Sequence, residues 1–218
     1  MSTIAQLFAE SCRLRLLRGL EELLAQCGFM RVAGVDEAGR GSLAGPVVAA
    51  AVIPDPDRVV PGVDDSKVLT ARERERLAAR VRAEAVAWGV AAVEADAIDR
   101  VNILEATRMA MGRAVAQLQP PPDCLLIDAV RLSGFPFPCL PLVRADCLSY
   151  AVASASILAK VERDRIMVQL DRTYPLYGFA LHKGYGAPEH RQALATFGPS
   201  PVHRLTFHSV VPRVEERC

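Results

Sequence analysis

The chain has 218 residues, 51% of them hydrophobic and 23% charged, which places it with ordinary soluble globular proteins of one sizeable domain. Mean hydropathy is +0.18, yet the most apolar run, PVVAAAVI at 46–53, ends at Pro54, well short of the roughly 20 residues that a spanning helix needs. Net charge is +1 but uneven: residues 1–148 carry 17 basic and 19 acidic side chains, and residues 149–218 carry 9 and 6 with all four histidines.

From the N-terminus, residues 3–27 read as one amphipathic helix starting near Ser2 or Thr3 and stopping at Gly28. Its charged residues leave no apolar heart for a signal peptide, so a cytoplasmic location is expected. Residues 30–36 and 46–53 are β-rich runs on either side of a GRGSLAG bend and predict a strand pair. Thr70 and Glu73 have the spacing of a capping box and open a helix over about 71–85. Residues 86–94 read as a third strand, and 96–119 as one long helix with Ile98, Leu104, Met111, Val115 and Leu118 among its apolar positions.

CLLID at 124–128 is a short buried strand ending in an aspartate, and LPLVR at 140–144 is another that leads into Asp146. A helix follows over 149–171, then a loop rich in aromatics and glycine, then a short helix opened by Pro188. Strands alternating with helices predict an α/β fold with helices packed on a sheet and a largely helical last third. The six cysteines form no CxxC pair and lie mostly in apolar stretches, the pattern of reduced, packed thiols. The histidines have no zinc-ligand spacing.

The chemistry concentrates in the carboxylates. Asp36 and Glu37 end one apolar run, Asp128 ends another, and Asp146 follows a third. Carboxylates gathered at strand ends, where α/β sheets place their ligand sites, repel one another unless a cation sits among them, and hard oxygen ligands suit Mg2+ or Mn2+. An aspartate at a strand end is also an ordinary turn former or helix N-cap, and spacing alone does not make the ends converge. Asp36 and Glu37 pose a further difficulty, because neighbours on a regular strand point to opposite faces. For both to serve one site, the strand is expected to end or twist at Glu37. The Gly39-Arg40-Gly41 bend lacks the GK[ST] ending of a nucleoside triphosphate loop.

Several longer stretches resemble the ribonuclease HII family, the bacterial type 2 ribonucleases H. They are VAGVDEAGRGSLAGPVVAAAVI from residue 32, DDSKVLT at 64–70, NILEAT at 102–107, LLIDAV at 125–130 and RADCLSYAVASASILAKVERDR at 144–165. YGFALHKGYGAPEHRQAL at 177–194 and FGPSPVHRLTF at 197–207 complete the set in that family's order. The resemblance runs from about residue 31 to 210. It implies a ribonuclease H-like fold, a central mixed sheet flanked by helices with a helical C-terminal region. Residues 30–218 would form this type 2 domain and 1–29 an N-terminal helical extension that packs on it or meets a partner.

The resemblance also implies a metal-binding, catalytic quartet of Asp36, Glu37, Asp128 and Asp146. With Mn2+ or Mg2+, and two ions when substrate is bound, such enzymes cut the RNA strand of RNA–DNA hybrids and nick DNA duplexes 5′ to embedded ribonucleotides, leaving 3′-hydroxyl and 5′-phosphate ends. Asp146 either holds the second ion or helps move the water. By the same resemblance Gly39, Arg40 and Gly41 read the ribose 2′-hydroxyl, and Tyr185 of HKGY senses the sugar junction. The three lysines of the chain all lie in matched motifs. Lys67 and Lys183 are expected on backbone phosphates, and Lys160 is open to either a phosphate or an i+4 pair with Asp164. Ser42 and Ala145 stand where the family more often has proline and glycine, and Ser42 is expected to leave the glycine loop less rigid. A monomer with no obligate protein partner is expected.

Overall fold

The computed structural model describes residues 3–208 and 210. Five strands form one mixed sheet: β1 (Val32–Ala38), β2 (Val47–Ile53), β3 (Ala87–Val93), β4 (Cys124–Asp128) and β5 (Cys139–Leu142). Their order is β3-β2-β1-β4-β5. β1 runs antiparallel to β2 and parallel to β4, with Val35 opposite Ala51 on one side and Ile127 on the other. The inner strand β2 is buried at every position, which is why it reads as an unbroken apolar run.

Helices cover both faces. On one, α4 (Ala95–Val101) and α5 (Ile103–Val115) set Ile98, Ala106, Ala110, Met111 and Ala114 against Val35, Ala49 and Ile127. On the other, α3 (Ala71–Glu84) and the long α6 (Tyr150–Thr173) set Leu77, Val81, Ala155 and Ile157 against Ala50 and Val52. The capping box of Thr70 and Glu73 is formed. The last third is helical, with α7 (Phe179–His182) and α8 (Pro188–Phe197), the latter begun by Pro188.

Two expected helices are broken. The N-terminal segment is α1 (Thr3–Leu17) and α2 (Gly19–Gln26), separated at Arg18; Ser2 lies outside the described residues. The predicted 96–119 helix divides at Asn102, whose backbone adopts φ 70° and whose side chain accepts from the Leu104 and Glu105 amides to start α5 afresh. α5 stops at Val115, and Leu104, expected inside, is exposed. The thiols also differ from expectation. Cys124 is buried and Cys139 half-buried, but Cys12, Cys27 and Cys147 are exposed, because the apolar-looking runs around them are surface faces. All five are free, and Cys218 lies outside the described residues.

The N-terminal extension packs on the domain. Leu14 and Leu17 join the core under α3 and α6. Glu21 Oε1 accepts from Ser149 Oγ at 2.6 Å and from the Ala151 amide at 2.8 Å, so α2 supplies a carboxylate to the N-terminus of α6.

α6 lies closer to β1 than ordinary side chains allow. A Cβ built on Gly34 would stand 2.1 Å from the Ala151 carbonyl carbon and 2.2 Å from the Val152 nitrogen. Both obstacles are backbone and cannot rotate away. Gly34→Ala is therefore expected to lower unfolding free energy by about 3 kcal/mol, the upper end for overpacking. Gly112→Ala in α5, with nothing within 4 Å of the added carbon, should instead gain about 0.5–1 kcal/mol. Urea unfolding midpoints of the two variants check the pair.

Candidate active site

Asp36 sits within β1, not at its end. The strand continues through Glu37 and Ala38, paired to Ala49 and Val48 of β2. The strand thus ends one residue past Glu37 rather than at it, and the neighbour ends earlier still. β4 matches β1 only through Val35 and Ile127, then stops at Asp128, where Ala129 takes φ 50° and turns the chain away. Beyond that point β1 has no partner on the β4 side. A notch opens in the sheet at the carboxyl ends of two parallel strands, the position where open sheets bind ligands. Glu37 can reach the notch from one face and Asp36 from the other.

Asp36 is 4% exposed. Its Oδ1 accepts from the Glu37 amide at 2.7 Å, and the nearby Ser156 hydroxyl of α6 favours its charged form. Burial, then the charges of Glu37 and Asp128, push its carboxyl well above the usual range. Glu37 and Asp128 are pushed up as well, again chiefly by burial. Arg40 opposes this at Glu37, its Nη1 donating to Oε1 at 3.2 Å. Glu37 Oε2 is buried with no hydrogen-bond partner. Asp128 Oδ1 accepts from the Ala145 amide at 2.8 Å, and so ties β4 to the short 3-10 turn at Ala145–Cys147 that carries Asp146.

Asp146 is buried, and its charge bears on Asp128. Its closest cation is Lys67, whose Nζ lies 2.9 Å from Oδ2 and 3.7 Å from Asp65 Oδ1. Among the described residues, the metal-ligating atoms found within 4.8 Å of one another belong to Asp65, Asp146 and Cys147. Asp36, Glu37 and Asp128 share a site with Asp146 less tightly than that, with Asp146 leaning toward Lys67. Three mutually repelling acids and an orphaned carboxylate oxygen are a donor set that fits a hard divalent cation. Asp65 and the Ser66–Ser156 hydroxyl pair, 2.8 Å apart, belong to the surroundings of the site. The sequence singles out neither Asp65 nor Ser66 as a functional residue. Their place in the DDSK stretch beside Lys67 was the available signal.

The glycine bend lies beside this notch. Gly39 has φ 92°, and Gly41 has open space where a side chain would be. Tyr185 is 40% exposed, with Lys160 Nζ 5.8 Å and the Arg163 guanidinium 5.2 Å from its ring centre. Lys160 also makes the i+4 pair with Asp164 at 2.7 Å. Lys183 does not stand free. Its Nζ bonds the Ala180 carbonyl, and it lines an open groove with Arg165 and Arg172. His182, His190 and His203 pack together behind Tyr185, with His190 and His203 joined Nε2 to Nε2 at 2.9 Å, in keeping with a packing role. The loop containing Ser42 gains support that proline would otherwise give. Arg204 donates to the Arg40 and Gly45 carbonyls.

The sequence profile described as Ribonuclease HII matches residues 33–210. A Ribonuclease HII of Geobacter metallireducens is 51% identical over 200 residues, 92% of this chain and 94% of that protein. The crystal structure of ribonuclease H2 from Pyrococcus horikoshii OT3 superposes with a TM-score of 0.70 at 27% identity, covering 83% of this chain and 95% of that one. RNase HII of Archaeoglobus fulgidus, solved in complex with PCNA, gives 0.68 at 28% identity with the same coverage.

The raised acids set the pH dependence of the metal-free protein. An acid whose folded pKa lies above its unfolded value stabilises the fold below the unfolded value, about 4, and loses that contribution as pH rises through the folded one. At pH 7 in chelator the charged cluster thus weakens the fold. Asp36→Asn is expected to raise the thermal midpoint there, with the gain shrinking toward pH 4. Scanning calorimetry checks this; a lower midpoint at pH 7 would mean that the Glu37 amide bond outweighs burial and repulsion.

Proposed function

This chain belongs to the ribonuclease HII family and is a ribonuclease H, and we propose that it cuts the RNA strand of RNA–DNA hybrids and nicks DNA duplexes 5′ to embedded ribonucleotides, leaving 3′-hydroxyl and 5′-phosphate ends. The observation that carries the reading is the meeting of Asp36, Glu37 and Asp128 at the notch between β1 and β4, beside the glycine bend. Mg2+ or Mn2+ bound by these carboxylates supplies Lewis acidity and lowers the pKa of water at the scissile phosphate.

The residues divide the remaining work. Asp36 and Asp128, held by the Glu37 and Ala145 amides, offer rigid oxygens. Glu37 offers the unpaired Oε2 while Arg40 restrains its other oxygen. Asp146, neutralised by Lys67, completes the quartet from a separate element, and Lys67 is free to exchange that carboxylate for a phosphate oxygen as substrate arrives. Lys183 adds positive charge along the duplex backbone.

Gly39, Arg40 and Gly41 read the 2′-hydroxyl. The open side of Gly41 lets backbone approach a ribose, and that hydroxyl distinguishes RNA from DNA. The half-exposed ring of Tyr185 packs on the sugar step beyond. All of these groups come from one chain, so a monomer suffices.

Cleavage of a DNA duplex carrying one ribonucleotide, beside an RNA–DNA hybrid, tests this. A nick 5′ to the ribonucleotide that needs Mg2+ or Mn2+ and falls by about 100-fold or more in Asp128→Asn is expected. Binding of both substrates without cutting either would point to a silent hybrid-binding module.

A further inference from the structure

Arg163 and Arg204 are both 0% exposed, an unusual condition for two cations whose charges repel. Asp164, next in sequence to Arg163, pairs with Lys160 and Arg74 instead. The two guanidiniums spend their bonds on the glycine loop. Arg163 Nε donates to the Pro46 carbonyl at 3.1 Å and Nη2 to that of Ala44 at 3.3 Å. Arg204 Nε donates to the Gly45 carbonyl at 3.0 Å and Nη1 to that of Arg40 at 2.9 Å. Arg163 Nη1 and Arg204 Nη2 are buried without a partner. Buried charge of this kind is expensive, and an apolar side chain would fill the space at less cost to the fold. The retention of two such groups under one loop points to a role in the reaction.

Arg163 has a second contact. Its guanidinium lies 5.2 Å from the centre of the Tyr185 ring, and Gly39 is pressed so close that a Cβ there would meet Nε at 1.8 Å. The Leu43 amide bonds the Gly184 carbonyl at 2.8 Å, one residue from Tyr185. One side chain on the rigid α6 thus touches both the bend and the tyrosine. Being buried, it can reach substrate only through them.

We propose that Arg163, with Arg204 beside it, is a positioning residue that fixes the glycine bend and Tyr185 relative to each other, so that the 2′-hydroxyl and the adjoining sugar step are read as a unit. This rests on the reading of those two features as the ribose readers. The Arg204 bond to the Arg40 carbonyl also aims the Gly41 amide of the same trans peptide the opposite way, as a donor for a sugar oxygen.

The test is a double-mutant cycle with kcat/KM measured on a duplex carrying one ribonucleotide. Arg163→Lys keeps the charge and loses the fork, and is expected to lower kcat/KM by about 10- to 100-fold, the scale of a misplaced reader. In a Tyr185→Ala background the same substitution should cost less than about threefold, because the reader it positions is gone. Arg204→Lys, which loses the fork on the Arg40 and Gly45 carbonyls, should show the same dependence on Tyr185 and serves if Arg163→Lys does not fold. Thermal midpoints and affinity for an all-DNA duplex report fold and phosphate binding separately. Equal losses in both backgrounds, or losses that follow the midpoints alone, would overturn the proposal. A wild-type protein that cuts neither a hybrid nor the ribonucleotide duplex would instead overturn the underlying reading, and the proposal with it.

Discussion

The close passage of α6 along β1 is the contact on which the arrangement of the site depends. Gly34 meets the backbone at Ala151 and Val152, the Ser156 hydroxyl lies by Asp36 and favours its charged form, and Gly39 abuts Arg163. Five residues of strand at about 3.3 Å each advance nearly as far as the eleven or twelve helical residues from Ala151 to Arg163 at about 1.5 Å each. Helix and strand therefore run side by side in step, and successive positions along β1 meet successive positions along α6. Small residues on α6 and glycine on β1 make the approach possible, and the hydroxyl of Ser156 puts it to chemical use. Glu21 then fixes where this helix begins, through Ser149 and the Ala151 amide, so the N-terminal extension contributes to the placement of the helix that serves the site.

Electrostatics gives the two ends of this contact opposite character. Toward the start of α6 lie the carboxylates, pushed toward protonation by burial and by one another. Farther along come Lys160, Arg163 and, from the C-terminal segment, Arg204. The modest imbalance between the acidic first two-thirds and the basic remainder of the sequence is resolved in space into an acidic notch beside a cluster of cations, two of them fully buried. Lys67 is the exception. It lies among the acids and neutralises Asp146, which accounts for how a fourth carboxylate stays buried in the same region.

Much of this was legible in the chain. Strands β1, β2, β3 and β4, the Thr70 capping box and the Pro188 helix announce themselves through apolar runs and local capping chemistry, which act within a few residues. The breaks at Arg18 and Asn102 were not, because the apolar pattern continues across both and only the backbone reversal at Asn102 interrupts it. The buried arginines were also hidden. Arg163 sits among Glu162, Asp164 and Arg165, a stretch that looks like a solvated helix face, and the fork's targets at Ala44 and Pro46 are more than a hundred residues away in sequence. The rarity of lysine drew attention to Lys67, Lys160 and Lys183, while the two cations holding the glycine loop were of the common type.

The adjacency of Asp36 and Glu37 shows most clearly where local reasoning stops. Taken alone, two neighbouring carboxylates on a strand must diverge, and the economical remedy is to end the strand between them. The protein keeps the strand whole, with Glu37 and Ala38 still paired to β2, and ends the adjacent one. Because β4 stops at Asp128 and leaves at Ala129, β1 acquires a free edge where its two faces meet the same space. Opposite orientation then becomes an advantage, since carboxylates from two faces can enclose a cation that a single face could only touch. The condition for this lies some ninety residues downstream of Asp36, in the length of a five-residue strand. No inspection of the VDEAGRG stretch could have revealed it.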